Sequence, residues 1–376
     1  MNIFGDVCRA LQEKRDVALA TIIAASGSTP APAESRMIVY PGEKFRSVGT
    51  IGGGCLDQSI LHAARNDFDQ RRARILTFNL NDDLGDTGLS CGGKLEVLLE
   101  CLTPAMLPVY RRIVDGWKSG QDCILVTTAS NDGGARKAVF DIEGNILEGD
   151  AFPELTLATV REWVPSIRAT GVGRHLSSES EDVIIELIPA APPLIIFGGG
   201  HVGKVVSRCA ALVGFRVTVV DDRRAFANKE RFPEAENTLC EAFDMAFQRL
   251  PITSSTYVVI ATRGHRHDEI VLEKVLQYGT KYVGMIGSRR KILIALDRLR
   301  GLGVSEDSLS KVHAPIGLNI GARTAEEIGI SIAAELIAVR RQSHFAVNPG
   351  NRLAEGMRVS DKQSEYSHSK GDARRR

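Results

Sequence analysis

The stretch Leu194-Ile195-Ile196-Phe197-Gly198-Gly199-Gly200-His201-Val202-Gly203 decides the fold. Its four apolar residues read as a short buried strand, and Gly198, Gly200 and Gly203 fit the pattern G-x-G-x-x-G. In that pattern the first glycine permits a tight turn, the second lets backbone amides approach a pyrophosphate, and the third lets the next helix pack closely on the strand. The helix start offers free N–H groups and a positive dipole end to an anion, with His201 inside the turn. A second strand, Val217 to Val220, ends in Asp221-Asp222 about twenty residues on, where Asp221 is placed for a ribose hydroxyl. Strand and helix patterns then alternate: Tyr257 to Ala261, Glu269 to Leu276, Tyr282 to Ile286, Lys291 to Leu299 and Thr324 to Arg340. That alternation predicts a Rossmann-like, doubly wound parallel sheet.

Outward from this core, the segment Pro189-Ala190-Ala191-Pro192-Pro193 reads as an extended linker, because proline fixes φ and lacks an N–H. It predicts an N-terminal domain over 1–188, a linker over 189–193, a Rossmann-like domain over 194–344 and a disordered tail over 345–376. The first domain reads as mixed α+β. Helices are expected at Phe4 to Glu13, Asp57 to Phe68 and Pro104 to Trp117, and strands at Val17 to Ala25, Met37 to Tyr40, Arg74 to Phe78, Leu95 to Cys101 and Gln121 to Thr128. No internal repeat of roughly 20 to 50 residues is visible.

Composition narrows the function classes. In 376 residues, 43% are apolar and 25% charged, as in ordinary globular proteins. Lys plus Arg is 47 against 46 Asp plus Glu, so neither nucleic acid nor an anionic membrane is an expected partner. The apolar run Ala210 to Val220 contains Arg216 and is too short to span a bilayer, and the N-terminus shows no signal peptide. Seven widely spaced cysteines with no C-x-x-C pair point to reduced thiols in a cytoplasm.

Two thiols sit among glycines. Gly49-Thr50-Ile51-Gly52-Gly53-Gly54-Cys55-Leu56-Asp57 strips away side chains, is expected to expose backbone amides, and puts Cys55 at a helix start, where the dipole favours a thiolate. Cys91 lies in Gly85-Asp86-Thr87-Gly88-Leu89-Ser90-Cys91-Gly92-Gly93-Lys94. Such thiols suit a soft metal or nucleophilic chemistry, though each loop also reads as an ordinary turn with a packed cysteine. Cys8, Cys101, Cys123, Cys209 and Cys240 fall in apolar patterns and read as packing. Ala25 to Pro32 offers hydroxyls and amides that could hold an anion, with Arg36 just beyond, and reads equally as a plain strand-ending turn. In the second domain, Thr262-Arg263-Gly264-His265 and Gly287-Ser288-Arg289-Arg290-Lys291 follow strands, where ligands bind in open α/β sheets. Ser288 reads equally as a helix cap, and His265, His267 and Asp268 as polar contacts before a metal site.

Gly27-Ser28-Thr29-Pro30, Gly49 to Cys55, Cys91-Gly92-Gly93, Phe197 to Gly203, Ala261 to His265, Tyr282 to Arg290 and Pro315 to Gly321 occur in this order. Together they resemble the XdhC/CoxI family of accessory factors for xanthine dehydrogenase and carbon monoxide dehydrogenase, over about residues 5 to 342. The chain departs from the family at Ala31, where Arg is usual, and at Asp57, Asn319 and Ala325, where Glu, Asp and Pro are usual. The resemblance implies a maturation factor without metabolite turnover of its own. Such a factor binds molybdenum cofactor in molybdopterin or dinucleotide form, assists its sulfuration with a cysteine desulfurase, and delivers it to an apo-subunit of a molybdenum hydroxylase.

On that reading Cys55, then Cys91, contacts molybdenum or sulfur, with Asp57 beside them and Gly52, Gly53 and Gly54 forming the loop. Gly198, Gly200, His201, Gly203, Asp221, Arg263, His265, Gly287, Ser288 and Arg289 hold the phosphate or nucleotide end, and a homodimer is the base-rate assembly. The fingerprint and Asp221 also fit a rival, an NAD(P)-dependent oxidoreductase. A second rival is a protein-binding adaptor that keeps only the Rossmann framework.

Overall fold

The computed structural model describes residues 3–42, 46–80, 92–130, 133–179 and 181–341, which form two compact units divided between Ala190 and Ala191. The tail expected over 345–376 and the loop around Cys91 lie outside the described residues.

The first unit runs α1 (Ile3–Gln12), β1 (Val17–Ser26), β2 (Arg36–Tyr40), β3 (Arg46–Gly49), α2 (Gly54–Asp67), β4 (Ala73–Asn79) and β5 (Lys94–Leu102). It continues with α3 (Leu107–Ser119), β6 (Cys123–Ser130), β7 (Ala135–Phe140), β8 (Ile146–Gly149), α4 (Glu154–Thr170), β9 (Arg174–Ser177) and β10 (Glu181–Ile188). β1 to β5 form one antiparallel sheet in the order β3-β2-β1-β5-β4, and β6 to β10 form another in the order β8-β7-β6-β10-β9. The second half of the unit thus repeats the first, at a period near one hundred residues rather than at the shorter period of a stacked repeat.

Strand alternation divides each sheet between two cores. Ala18, Ala20, Met37 and Val39 face α2 through Leu56, Ile60 and Ala64. Leu19 and Ile38 face the second sheet at Leu125 and Val139, with α1 and α3 in the same cluster through Val7, Leu11, Tyr110 and Ile113. Ile124, Val126, Ala138 and Phe140 then meet α4 through Val160, Val164 and Ile167. Strands covered on both faces are apolar throughout rather than alternating, and each fully buried branched side chain contributes about 1.5–3 kcal/mol.

Two ion pairs cross between the sheets. Arg36 of β2 donates to Glu186 of β10 at 2.7 Å and stacks over the Phe4 ring, its Cζ 4.8 Å from the ring centroid. Lys137 of β7 donates to Glu100 of β5 at 2.6 Å and to the Tyr110 hydroxyl at 3.0 Å. Arg36 therefore lies inside the unit and does not aid an anion at the Ala25–Pro32 segment: its charge is neutralised by Glu186 and its ring contact is to α1.

The second unit contains β11 (Pro193–Phe197), α5 (His201–Leu212), β12 (Arg216–Asp221), β13 (Asn237–Cys240), α6 (Phe243–Ala246), β14 (Tyr257–Ile260), α7 (His265–Val275), β15 (Tyr282–Met285), α8 (Arg289–Gly301), α9 (Glu306–Ser310), β16 (Val312–His313) and α10 (Ala325–Arg340). All described pairings in its sheet are parallel, in the order β13-β12-β11-β14-β15-β16. That is the Rossmann order, with the switch point between β11 and β14. Pro193, expected in the linker, is the first residue of β11 and pairs with Arg216. α5 and α10 cover one face through Val206, Ala210, Ile332 and Leu336, while α7 and α8 cover the other through Val271, Leu272, Ile292 and Leu296. None of the described helices is long and apolar enough to cross a membrane.

Lys137 and Glu100 expose only 2% and 3% of their side chains. Removing one partner of such a pair leaves a buried charge uncompensated, so Lys137→Met is expected to cost about 3–5 kcal/mol. Lys137→Met with Glu100→Leu should recover most of that loss, as urea denaturation of the full chain would show.

Candidate functional site

In the first unit, three loops gather at one end of the β1–β5 sheet: Gly27–Pro30 after β1, Thr50–Gly53 after β3, and Gly92-Gly93 before β5. They touch, the first and third through their backbones and the second through the Pro30 ring. A Cβ on Gly52 would lie 2.8 Å from Pro30 Cγ, and one on Gly93 would lie 2.4 Å from the Ser28 carbonyl oxygen. The Leu80 amide donates to the Gly93 carbonyl at 2.8 Å and the Gly92 amide to that of Leu80 at 3.2 Å, so the described ends of the segment that carries Cys91 meet beside Lys94.

The glycine run is held by two side chains. The Thr50 hydroxyl donates to Asp57 at 2.8 Å, and the Ile51 and Gly53 amides donate to the same carboxylate at 3.0 and 3.3 Å. Gly52 and Gly53 amides donate to Thr50 Oγ1 at 3.1 and 2.9 Å. These amides face inward, contrary to the expectation that the loop exposes them, because a short loop next to a helix satisfies its donors locally. Asp57, expected beside the chemistry, is occupied as the clamp of its own loop. Gly52, Gly53 and Gly54 have φ of 143°, 77° and 53°, a consecutive left-handed run that only glycine adopts without strain. Its outcome is Cys55, exposed on the first turn of α2.

In the second unit, the fingerprint glycines divide by role. A Cβ on Gly198 would sit 2.1 Å from the Ala261 carbonyl oxygen, and one on Gly203 would sit 2.0 Å from that of Gly198. A Cβ on Gly200 would meet no described atom within 4 Å, so the middle position is open to an approaching group. His201 is exposed at the first residue of α5.

Asp221 does not stand ready for a ribose. It is 1% exposed and accepts from the Gly199 amide at 2.9 Å, the Arg223 amide at 3.1 Å, and Arg223 Nε and Nη2 at 2.8 and 3.0 Å. Arg223 in turn stacks 3.7 Å from the Phe226 ring centroid, and Arg231 donates to the Gly199 carbonyl at 2.9 Å. A Cβ on Gly199 would lie 1.9 Å from the Phe226 carbonyl oxygen, so the Arg223–Phe226 turn closes over the fingerprint at the β12 side. The sequence places an acid at the strand end but does not reveal that the arginine two residues on consumes it.

Arg263 and Asp222 form a two-pronged pair, its Nη2–Oδ2 arm 2.7 Å long, and hydrogen bonding from Arg263 holds the Asp222 carboxyl below the usual carboxylate range. Asp268 accepts from the Thr262 hydroxyl at 2.6 Å and from its amide at 3.2 Å, which repeats the Thr50–Asp57 device. His265 is exposed at the start of α7, and His267 packs edge-on against Phe243 with ring centroids 5.3 Å apart. Among the described residues no group of three or more His, Cys, Asp and Glu is arranged for a metal ion. After Gly287, Ser288 caps α8 by accepting from the Lys291 amide at 3.5 Å, and Arg289, Arg290 and Lys291 are exposed with no ion pair among the described residues. The Pro315–Gly321 motif is fixed from below by Glu335, fully buried on α10, which receives the Gly317 amide and the Tyr282 hydroxyl and lies 2.7 Å from His313 Nδ1.

The remaining thiols separate cleanly. Burial pushes Cys8, Cys101 and Cys123 each up to about 11, which leaves them protonated packing groups, and raises Cys209 as well. Cys240 departs from the packing expected of it: it closes edge strand β13 and is exposed. Thr50, Thr262 and Arg223 are the positioning residues that motif reading passed over; a threonine six or seven residues before an aspartate in the following helix turn was the signal for the first two, and Arg223 had none.

Two family models match the chain: "XdhC and CoxI family" over residues 10–79 and "XdhC Rossmann domain" over 194–336. Among curated proteins it is similar to a probable xanthine dehydrogenase subunit of Bacillus subtilis, with 25% identity over 344 residues covering 88% of this chain and 96% of that one. The molybdenum cofactor insertion chaperone PaoD of Escherichia coli is 22% identical over 333 residues, 88% of this chain and 86% of that one. The Escherichia coli protein YqeB is 25% identical over 374 residues, but the chain spans only 51% of its length. A solved Bacillus halodurans structure described as a xanthine dehydrogenase superposes with a TM-score of 0.75 at 25% identity, covering 94% of this chain and all of that one.

Burial raises the Asp268 carboxyl above the usual aspartate range, although the Thr262 hydrogen bonds pull the other way. A carboxyl raised in the folded state lowers stability when ionised, and the deficit disappears as pH falls through that raised value. Asp268→Asn keeps an acceptor for Thr262. It should be at least as stable as the parent at pH 7, with its advantage gone below about pH 4, as paired urea titrations would report.

Proposed function

The chain belongs to the XdhC and CoxI family, and on that premise we propose that it carries molybdenum cofactor as cargo and hands it to the apo-subunit of a xanthine dehydrogenase-type hydroxylase. The observation that carries this reading is Cys55: an exposed thiol at a helix start, on a loop immobilised by Thr50 and Asp57. A soft thiolate suits the molybdenum or sulfur end of the cargo. Cys91, next to Gly92 in the adjoining strand connection, is the second thiol of the reading. Asp57 acts as the loop's clamp, and Gly52, Gly53 and Gly54 present Cys55 without side chains to obstruct an approaching group.

For the second unit taken by itself, a phosphate-binding role is assigned to its switch point. Gly200 is open there, Gly198 and Gly203 shape the turn, and His201, His265, Arg263, Gly287, Ser288 and Arg289 lie at the carboxyl ends of β11, β14 and β15. Sulfuration with a cysteine desulfurase, a homodimeric assembly and action in a cytoplasm with reduced thiols belong to the same proposal. The nicotinamide rival loses its main support, because Asp221 is buried and saturated by Gly199 and Arg223.

The test is metal and pterin analysis of the protein after co-expression with a working cofactor pathway, beside Cys55→Ala. Near-stoichiometric molybdenum and fluorescent pterin, lost in the variant, are expected. Retention in Cys55→Ala with loss in Cys91→Ala moves the ligand to the second thiol. No cargo under conditions that load a molybdoenzyme sinks the reading, and saturable binding of NADH would then establish the nicotinamide rival.

A further inference from the structure

We infer that the first unit is a duplication of one αβββαββ module, and that Arg36 and Glu186 position the Gly49–Cys55 loop from across the duplication. Position by position the two modules coincide. Thr21 pairs with Arg36 in one and Thr127 with Lys137 in the other. Leu19 stands opposite Glu100, and Leu125 opposite Glu186. Met37 stands opposite Gly49, and Ala138 opposite Gly149. Phe4 of α1 and Tyr110 of α3 occupy matching places and meet each other, ring centroids 6.0 Å apart. The two buried ion pairs are therefore one interaction seen twice: the base on the second strand of each module meets the acid on the fifth strand of the other.

The same equivalence singles out one loop. Each third strand ends in a left-handed glycine, Gly49 with φ 85° and Gly149 with φ 118°, and four residues lead from it into the next helix. In the first module these residues and the helix start read Thr50-Ile51-Gly52-Gly53-Gly54-Cys55-Leu56-Asp57. In the second they read Asp150-Ala151-Phe152-Pro153-Glu154-Leu155-Thr156-Leu157. The glycine run, the thiol and the clamping acid have no counterpart there; Leu155, 82% exposed, stands where Cys55 does. Only the first module keeps a loop fit to hold a ligand.

The root of that loop is tied to the ion pair. A Cβ on Gly49 would lie 2.4 Å from the Arg36 carbonyl oxygen, and one on Gly149 would lie 2.4 Å from that of Lys137. The residue whose backbone seats the first glycine is thus the residue whose side chain crosses to the other module. Displacing the Arg36 guanidinium from Glu186 shifts the backbone against which Gly49 is packed, and the Thr50–Asp57 clamp lies directly downstream. This inference rests on the proposed function only in taking the Gly49–Cys55 loop as the binding loop.

The duplication supplies its own control. Glu186→Gln and Glu100→Gln are matched lesions in full-length protein, read by hydrogen exchange with mass spectrometry on peptides spanning 49–57 and 149–157. Both should lower the melting temperature, by roughly 10 °C. Glu186→Gln should speed exchange in 49–57 by about tenfold while sparing 149–157, and Glu100→Gln should do the reverse. Arg36→Lys, which copies Lys137, should leave 49–57 near its parental rate, whereas Arg36→Met should not. Equal acceleration of both peptides by either glutamine variant, or no acceleration in 49–57 from Arg36→Met and Glu186→Gln, overturns the inference. Molybdenum loading of Glu186→Gln separates it from the chaperone reading: exchange altered with loading intact retains the positioning role and counts against this loop as the cargo site.

Discussion

Four charged side chains buried between two sheets set the constraint on which the first unit depends. Arg36, Glu186, Lys137 and Glu100 are taken out of water, a cost recovered only when each base reaches the acid of the opposite module. Among the described residues, Arg36 Nε and Glu100 Oε2 are buried with no hydrogen-bond partner, an added cost of the arrangement. A slip of one residue in either sheet would turn a base or an acid to the wrong face. The pairs therefore define register and docking more than they add net stability, and a misdocked arrangement is penalised by a stranded charge. Because Gly49 packs on Arg36, the candidate loop inherits that definition.

In both units, residues that read as chemical turn out to be architectural. Asp57 and Asp268 each receive a threonine hydroxyl and at least one backbone amide, and so stiffen the turn that leads into a helix. At α10 the Glu327 carboxylate accepts from the Thr324 backbone amide while the Thr324 hydroxyl oxygen accepts from the Glu327 amide, a reciprocal cap. Asp221 ties the fingerprint to Arg223, and Glu335 holds the Gly317 turn against α10. The groups left for a ligand are consequently those without such duties: the Cys55 thiol, the open face of Gly200, and the exposed bases from Arg289 to Lys291. In the second unit, three exposed bases in a row with no ion pair among the described residues suit an anion.

What was legible in the sequence followed how local the cause was. The strand Leu194–Phe197, its glycine turn and the alternating elements after it were plain, since periodicity and three glycines carry them. In the first module, Phe4, Val7, Cys8 and Leu11 mark α1 by spacing alone. The second module was opaque from β7 onward. Its strands β8 and β9 are only four residues long, Pro165 interrupts the helical pattern of α4, and its third-strand turn has no glycine run. The duplication was hidden for a related reason: what the modules share is a face, a register and a charge sign, so Arg36 is matched by Lys137 and Phe4 by Tyr110. Asp221 and Cys240 show the complementary limit, where a residue's fate is set by neighbours across a turn or by a strand's place at the sheet edge.

A scaffold of two like halves has to become unlike to hold one asymmetric guest. The first module retains a loop with three consecutive left-handed glycines, a conformation that carries an entropic cost on folding, and at Gly53 and Gly54 no described atom lies within 4 Å of the missing side chain. The second module fills the equivalent turn with Phe152, buried against Phe140, and with Pro153, both of which stabilise it. The contrast makes the first loop the member of the pair that has forgone stability. Among the described thiols it also carries the one that is exposed on a helix's first turn, whereas Cys8, Cys101 and Cys123 are buried in the surrounding core. An entropic cost kept on one side of a duplicated frame and removed on the other is the pattern expected when a loop is kept for what it holds rather than for how the domain folds.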